Sequence, residues 1–416
     1  MTAPIERLPV EVFDTVVSDL ELDDYRHLRL SSQRLYSLTL STFAKLYLSQ
    51  VSTTLGSPSL HRLVAVSKHG HFRHAVAKLN IKLLTYPDYL TLAAIQRAGI
   101  YPPPKRFRTI SGIKNVDVEG ESTLYNDLVG WNHPRCITDR LTLALKGLRN
   151  LKSICIRALH AEPIGWRWTD IPDHDQKFRR ACFDAVLESI TKSGIQLEEF
   201  SMAKKKKNMN KFRKGMELWC SKDLQFSEQM QTSLQHSFKH LQSLTLSLVT
   251  VRRSKPGWET GAVQFIACAA NLKHLALSLD RSVHISRNSA HFIHSLATSS
   301  RHPALESFQL VNCSVYQTDM EQFATAHAET LSTMTLTRVR MTTGSWTSFW
   351  SSLKTIPKLR WLRFGSLEGT FNDSSFWPAN RARAKITLET ASSGRQMNDL
   401  LDELVAGYKP TSETPF

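Results

Sequence analysis

The six residues "LQSLTL" (241–246) follow the pattern L-x-x-L-x-L, and this pattern recurs along most of the chain. Successive side chains of a β-strand point to opposite faces, so the fourth and sixth residues of the pattern share one face. A short apolar strand, used many times, therefore decides the fold of this protein.

Seven copies of the pattern occur, with conservative replacements of leucine. They are "LKSICI" (151–156), "LEEFSM" (197–202), "LQSLTL" (241–246), "LKHLAL" (272–277), "LESFQL" (305–310), "LSTMTL" (331–336) and "LRWLRF" (359–364). Their starts are 46, 44, 31, 33, 26 and 28 residues apart. The shorter spacings lie in or near the range of roughly 20–29 residues that is typical of leucine-rich repeats. The first two spacings require insertions.

Most copies are preceded by an amphipathic stretch that favours a helix, as in "SAHFIHSLATSS" (289–300) and "WTSFWSSLKTI" (346–356). A helix followed by one strand cannot bury its apolar face alone, so neighbouring units must stack. The chain is therefore predicted to be an α/β protein with an irregular leucine-rich-repeat-like solenoid. The alternative is an ordinary α/β domain built from amphipathic βα units.

The pattern also suggests four regions. A helical segment occupies residues 1–50, and a first repeat-like unit with an insertion or linker occupies 51–145. The repeat solenoid is expected over 146–370, and a C-terminal cap with a disordered tail over 371–416. The cap contains a candidate strand, "AKITLET" (384–390), and a candidate helix, "RQMNDLLDELVAGY" (395–408).

The N-terminal segment has the features of a small three-helix bundle. Pro9 suits the first turn of a helix, where its missing N–H is not needed. Phe13, Val16, Val17 and Leu20 then follow the i, i+3, i+4, i+7 spacing of one apolar stripe. A bundle of this size buries little area and often leaves apolar surface for a partner.

This segment, over roughly residues 4–48, resembles an F-box. The matching residues are Leu8-Pro9, Glu11-Val12-Phe13, Val16-Val17, Leu20, Asp24, Leu28-Arg29-Leu30, Arg34 and Leu38. Three positions depart from the family pattern: Leu22 replaces a proline, Ser31-Ser32 replaces a common Val-Cys, and Leu35 replaces an aromatic residue. The stretch 59–81 is more loosely similar to a segment that follows the F-box in fungal F-box proteins.

The resemblance implies a non-catalytic adapter of a cullin–RING (SCF-type) ubiquitin ligase. The F-box would bind the Skp-family adaptor, and the cullin through it, while the repeats hold an unknown target protein. The residues that the resemblance assigns to adaptor binding, by contact or by ordering the surface, are Leu8, Pro9, Val12, Phe13, Val16, Leu20, Leu28, Leu30 and Leu35.

The strand pattern also suggests where a target would bind. The third, fifth and seventh residues of each copy point away from the leucines, and most of them are small. The last copy alone presents an aromatic side chain, Trp361, beside an arginine, Arg363, and these residue types dominate interface hot spots. With His274 and Gln309 on earlier copies, they form the predicted target site. The alternative is that Trp361 packs against the C-terminal segment as a cap.

Charge supports a second class of function. The chain has 53 Lys and Arg against 37 Asp and Glu, although residues 1–50 are acidic. A basic run, "KKKKNMNKFRK" (204–214), contains Lys204, Lys205, Lys206 and Lys207 and would suit a polyanion or an import receptor. The alternative is a solvated loop. The competing function is therefore a basic repeat module that binds a polyanionic partner. Nucleic acid is the less favoured of the possible polyanions.

Other classes find no support in the sequence. It contains none of the common hydrolase, metalloprotease, P-loop or dinucleotide-binding motifs, so no catalytic residue, cofactor or metal site is predicted. His69, His71 and His74 lack a nearby carboxylate or thiolate. Six single cysteines indicate buried thiols, and no apolar stretch approaches a membrane span. The expected location is the cytoplasm or the nucleus.

Overall fold

The computed structural model describes most of the chain. It covers residues 5, 8–17, 19–83, 134–158, 173–202, 204–205, 212–213, 218–220, 226–250, 257, 259–279, 288–299, 302–369, 385–390 and 394–406. The chain has α/β architecture and divides into two compact units. The first unit comprises Met1–His160 with Ala181–Ile195, and the second Ala161–Arg180 with Gln196–Phe416.

The first unit opens with three helices, α1 (Val10–Val17), α2 (Leu22–Ser31) and α3 (Gln33–Leu48). Their shared core consists of Phe13, Val17, Tyr25 and Leu35, and partly buried apolar side chains surround it. Phe13 and Val17 are one turn apart on α1, as the predicted apolar stripe requires. The three helices that the sequence predicts are therefore present.

Specific polar contacts fix the ends and crossings of these helices. The backbone N–H groups of Arg34 and Leu35 donate to Ser32 Oγ, which caps the N-terminus of α3. Thr42 Oγ1 donates to Asp14 Oδ1 at 2.6 Å and joins α3 to α1. Serine at position 32 thus has a local structural role.

A small parallel sheet completes the first unit. Its elements are β1 (Gln50–Thr53), α4 (Ser57–Lys68), α5 (Phe72–Ala75), β2 (Lys78–Leu83), α6 (Pro134–Gly147), β3 (Ser153–Ala158) and part of α7 (Asp173–Ser193). Strand β2 lies between β1 and β3 and is parallel to both. The expected boundary at residue 145 falls inside α6, because the helix preceding the first copy begins at Pro134. The rest of the expected insertion, 84–133, lies outside the described residues.

The second unit contains the remaining strands and helices. In chain order they are β4 (Glu199–Ser201), β5 (Lys204–Lys205), β6 (Phe212–Arg213), β7 (Leu218–Cys220), α8 (Glu228–Ser237), β8 (Ser243–Thr250), α9 (Thr260–Ala267), β9 (His274–Ser278), α10 (Asn288–Ser299), β10 (Ser307–Tyr316), α11 (Gln317–Ala326), β11 (Thr333–Thr343), α12 (Trp346–Leu353), β12 (Trp361–Gly365), β13 (Lys385–Glu389) and α13 (Met397–Val405). The sheet order is β4-β8-β9-β10-β11-β12-β13, and β7 also pairs with β8. Only β13 in this order is antiparallel to its neighbour.

The copies of the sequence pattern align with one another in the sheet. Leu244, Leu275, Phe308, Met334 and Leu362 are direct partners on successive strands, and all are buried. The prediction of one strand per copy is confirmed for all seven copies. The helix expected before "LESFQL" is α10, which packs against β10.

Three neighbouring strands share an unusual backbone bend. Asn312, Arg338 and Ser366 have left-handed φ angles of 55°, 54° and 54°. Each follows one of the register partners Val311, Thr337 and Gly365. A bend repeated at one register position shows that these units are alike in backbone as well as in sequence. The expected disordered tail, 409–416, lies outside the described residues.

Candidate functional site

The residues predicted to bind an adaptor divide into two groups by burial. Phe13 is 0% exposed and Leu35 is 5% exposed, and both belong to the core of the three-helix bundle. In this conformation they offer no contact surface to a partner, so their role is to hold the helices together. Leu8, Leu20 and Leu28 are partly buried and pack against the same core.

Val12, Val16 and Leu30 form the second group and lie on the surface. Val12 and Val16 are one turn apart on α1, so they lie on the same face of the helix. Val16 is 52% exposed, and Leu30, near the end of α2, is 85% exposed. Pro9 is exposed as well. Exposed apolar side chains on so small a bundle indicate a surface that a partner can cover.

A stacked arginine connects α2 with the elements beside it. The Arg29 guanidinium lies 4.0 Å from the ring centre of Phe43 and 4.5 Å from that of Tyr36, both on α3. Phe72 of α5, whose ring stacks on His69, is 5.8 Å from the same guanidinium. Cation–π contacts therefore tie the bundle to the start of the sheet region in the first unit.

The predicted target residues share two rows of the second unit's sheet. His274 and Trp361 lie in one row, because the pairs His274–Ser307, Ser307–Thr333 and Thr333–Trp361 are in register. With adjacent strands about 4.8 Å apart, these two residues are about 14 Å from each other. Gln309 and Arg363 lie in the next row, about 10 Å apart.

The surface around these rows differs from the expected smooth exposed strip. His274 is exposed, and Gln309, Trp361 and Arg363 are half-buried. Several small members are buried, among them Ser201, Ser247 and Thr335. A small side chain on a parallel sheet is shielded by its larger neighbours, so outward direction alone does not make it accessible.

Only part of the basic run 204–214 belongs to the described residues. Lys204 and Lys205 form β5, which pairs with Phe212 and Arg213 of β6 in a two-stranded antiparallel ribbon. Lys206 and Lys207 lie outside the described residues. Over this part of the chain, the prediction of a polyanion or import site stays a prediction.

The described residues contain no group of three or more His, Cys, Asp or Glu that could hold a metal ion. His69 Nδ1 accepts from the backbone N–H of Phe72, and His74 Nε2 accepts from Arg73 Nε.

Among the described helices, none is long and apolar enough to cross a bilayer. Cys155, Cys182, Cys268 and Cys313 are buried and form no disulfide, and Cys136 is exposed.

A buried histidine pair in the second unit has no signal in the sequence. The His302 backbone N–H donates to His327 Nε2, and the two rings stack with centres 6.4 Å apart. Burial and the neighbouring His327 lower the pKa of His302 to about 4, against the effect of its hydrogen bond to Ala269 O. Burial also lowers the pKa of His327. Both rings are therefore neutral at neutral pH.

Comparison with known proteins adds no assignment. No model of a known protein family matches the chain, and no curated protein matches it significantly.

Proposed function

We propose that the chain is a substrate-recognition adapter of a cullin–RING (SCF-type) ubiquitin ligase. In this proposal, α1–α3 form an F-box and the strands of the second unit belong to an irregular leucine-rich-repeat-like array. The observation that carries the proposal is the division of the F-box-like residues. Phe13 and Leu35 build the core, while Val12, Val16 and Leu30 remain exposed.

Such an adapter works by proximity. One surface binds the Skp-family adaptor, and with it the cullin, while another surface binds a target protein. A lysine of the target is then held at high effective concentration near the ubiquitin-transfer machinery. No catalytic residue of the chain is needed for this role, which we assign to the cytoplasm or the nucleus.

The adaptor-binding surface is tested by placing charge on exposed positions. Val16→Glu and Leu30→Glu should each abolish pulldown of a Skp-family adaptor, because a carboxylate would be buried in an apolar interface. Leu143→Glu is the matched control, since Leu143 of α6 is 47% exposed and lies outside the F-box-like segment. Wild-type pulldown by both bundle variants, with their folding verified by circular dichroism, would refute the proposal.

The target-binding surface is proposed at His274, Gln309, Trp361 and Arg363. Trp361→Ala and Arg363→Ala should each reduce recovery of the target by crosslinking and leave adaptor pulldown unchanged. Thr390→Ala, at a half-buried position directly after β13, is a control at the same end of the array. If Trp361→Ala instead lowers the Tm and target recovery persists at low temperature, Trp361 is a capping residue.

A basic binding module for a polyanion is the second candidate function. Residues 50–83 and 134–158 of the first unit contain eleven Lys and Arg and a single acid, Asp139. A polyanion that neutralises these bases would bind with a strong dependence on salt concentration. Titration of a short duplex and of heparin at several salt concentrations tests this function, and binding without salt dependence would exclude it.

A further inference from the structure

A small cavity lies between helices α10 and α11 of the second unit. Its volume is about 380 Å³, at the lower end of the roughly 300–1,000 Å³ that is typical of ligand sites. The residues that line it are Ala297, Thr298, Glu321, Gln322, Thr325 and Ala326. Glu321 is the only charged residue among them, and the two alanines and two threonines are small. A ligand that fits this cavity needs an apolar part and a group that complements a carboxylate.

A chain of hydrogen bonds fixes the orientation of the Glu321 carboxylate. Gln317, one turn earlier on α11, donates from Nε2 to Glu321 Oε1 at 2.8 Å. Gln317 Oε1 accepts from the backbone N–H of Ser345 at 2.6 Å, so both ends of the amide are held. Gly344 has a φ of 85°, and a Cβ at this position would clash with the Gln317 side chain. A carboxylate that is already oriented loses less conformational entropy when a ligand binds.

The charge around the cavity is opposite in sign to that of the whole chain. The formal net charge of the chain is +16, yet residues 302–330 contain four acids and no lysine or arginine. These acids are Glu306, Asp319, Glu321 and Glu329. Glu306 has a lysine partner and Asp319 a histidine partner, whereas Glu321 has no cationic partner among the described residues. Glu321 therefore offers its charge to a cation from outside the chain.

We propose that this cavity receives a lysine or arginine side chain of a partner protein. The apolar stem of such a side chain packs along small apolar groups, here the methyl groups of the alanines and threonines. Its charged head then donates a charge-assisted hydrogen bond to the Glu321 carboxylate. The surface differs from the strand residues proposed to bind the target, and the inference does not depend on the ligase role.

Methyl NMR of the full chain, deuterated and labelled at alanine methyl groups, tests the proposal. The probe is acetyl-Gly-Arg-Gly-amide, which carries one basic side chain. Titration should shift the Ala297 and Ala326 signals saturably and leave the signal of Ala65, an exposed residue of α4, unchanged. Acetyl-Gly-Lys-Gly-amide should shift the same two signals, whereas acetyl-Gly-Leu-Gly-amide should bind much more weakly because it lacks the charge.

Variants identify the contribution of each part of the site. Glu321→Gln should weaken binding of the arginine peptide roughly fivefold, because the ion pair is lost. Glu329→Gln is the matched control, since it removes the same charge from an exposed position outside the cavity and should bind like the wild type. Gln317→Ala keeps the charge of Glu321 but releases its orientation, so its affinity should be intermediate. Ala326→Leu fills the cavity and should abolish the shift at Ala297.

Three results would overturn the proposal. They are the absence of a saturable shift in the wild type, equal affinity of Glu321→Gln and Glu329→Gln, and equal affinity of the leucine and arginine peptides. Pulldown of a Skp-family adaptor should be the same for Glu321→Gln and the wild type. Failure of the cavity proposal and failure of the ligase proposal are therefore separate results.

Discussion

The three-helix bundle and the second unit's sheet reach a buried core by different means. The bundle has four core residues from three short helices, and several of its apolar side chains remain exposed. The sheet places one apolar residue of each copy in register with the next, so every strand extends the same buried row. The bundle thus combines a minimal core with an apolar surface, whereas the array gains its stability by repetition.

One matched pair of substitutions tests this difference with the largest expected effects. Phe13 of the bundle and Phe308 of the array are both buried, and each change to alanine should cost roughly 3–5 kcal/mol. Phe308 also packs against Phe323, with ring centres 4.3 Å apart and the ring planes tilted by 40°. Phe308→Ala should destabilise the array, while Phe13→Ala should open the bundle and abolish adaptor pulldown.

Peptide-resolved hydrogen exchange measures both regions in the same sample. We expect Phe13→Ala to increase exchange in α1–α3 and to leave β10 and β11 protected. If Phe13→Ala accelerates exchange in these strands as strongly as Phe308→Ala does, the two regions unfold together and the distinction drawn above is wrong.

Acid should weaken the array through its histidine pair. The folded-state pKa of His302 is about 4, below the ordinary value of 6.5. The unfolded chain therefore binds a proton at this histidine more readily than the folded chain does. The contribution of neutral His302 to the free energy of unfolding is fully present above pH 6.5 and is lost as the pH falls toward 4. The loss from His302 alone amounts to roughly 2 kcal/mol at pH 5.

Urea unfolding at pH 7 and pH 5 measures this loss, with tryptophan fluorescence reporting the array through the buried Trp346 and Trp350. His302→Gln should flatten the pH dependence, and His61→Gln, at an exposed position of α4, should leave it unchanged. Equal pH dependence in the wild type and His302→Gln would show that the buried pair is not its source.

Arg29 provides a smaller effect that is confined to the bundle. Arg29→Ala removes the contacts with Phe43 and Tyr36 and should destabilise the bundle by about 1–2 kcal/mol. Arg26→Ala on the same helix removes only an exposed ion pair with Asp23, which contributes about 0–1 kcal/mol. Hydrogen exchange measured in α2 and α3 compares the two variants. Equal exchange rates would show that the stacking of Arg29 does not stabilise the bundle.

The sequence predicts secondary structure and strand register best where the L-x-x-L-x-L pattern is repeated. Alternating leucines predict the strands, and their register follows because equivalent positions pair. Helix α6 shows a missed signal, since Pro134 precedes apolar residues at Ile137, Leu141 and Leu145. Helix α8 gives almost no signal, because Leu234 is its only buried large apolar residue. A strongly polar helix held by its neighbours cannot be recognised from periodicity.

The candidate sites were only partly predictable for a related reason. The F-box-like pattern names Phe13 and Val16 alike, but tertiary packing decides that the first is buried and the second exposed. The His302–His327 pair joins residues 25 positions apart.

The smallest predicted effect concerns a position where the chain departs from the F-box pattern. Ser32 Oγ caps α3 by accepting from the N–H groups of Arg34 and Leu35. Ser32→Ala should therefore destabilise the bundle by about 1 kcal/mol, because these N–H groups lose their acceptor. Ser31→Ala removes only an exposed hydroxyl that donates to Leu28 O, so it should change stability little. We expect hydrogen exchange at the start of α3 to be faster in Ser32→Ala than in the wild type, and unchanged in Ser31→Ala. Identical exchange in the two variants would show that the departure at Ser32 is not explained by helix capping.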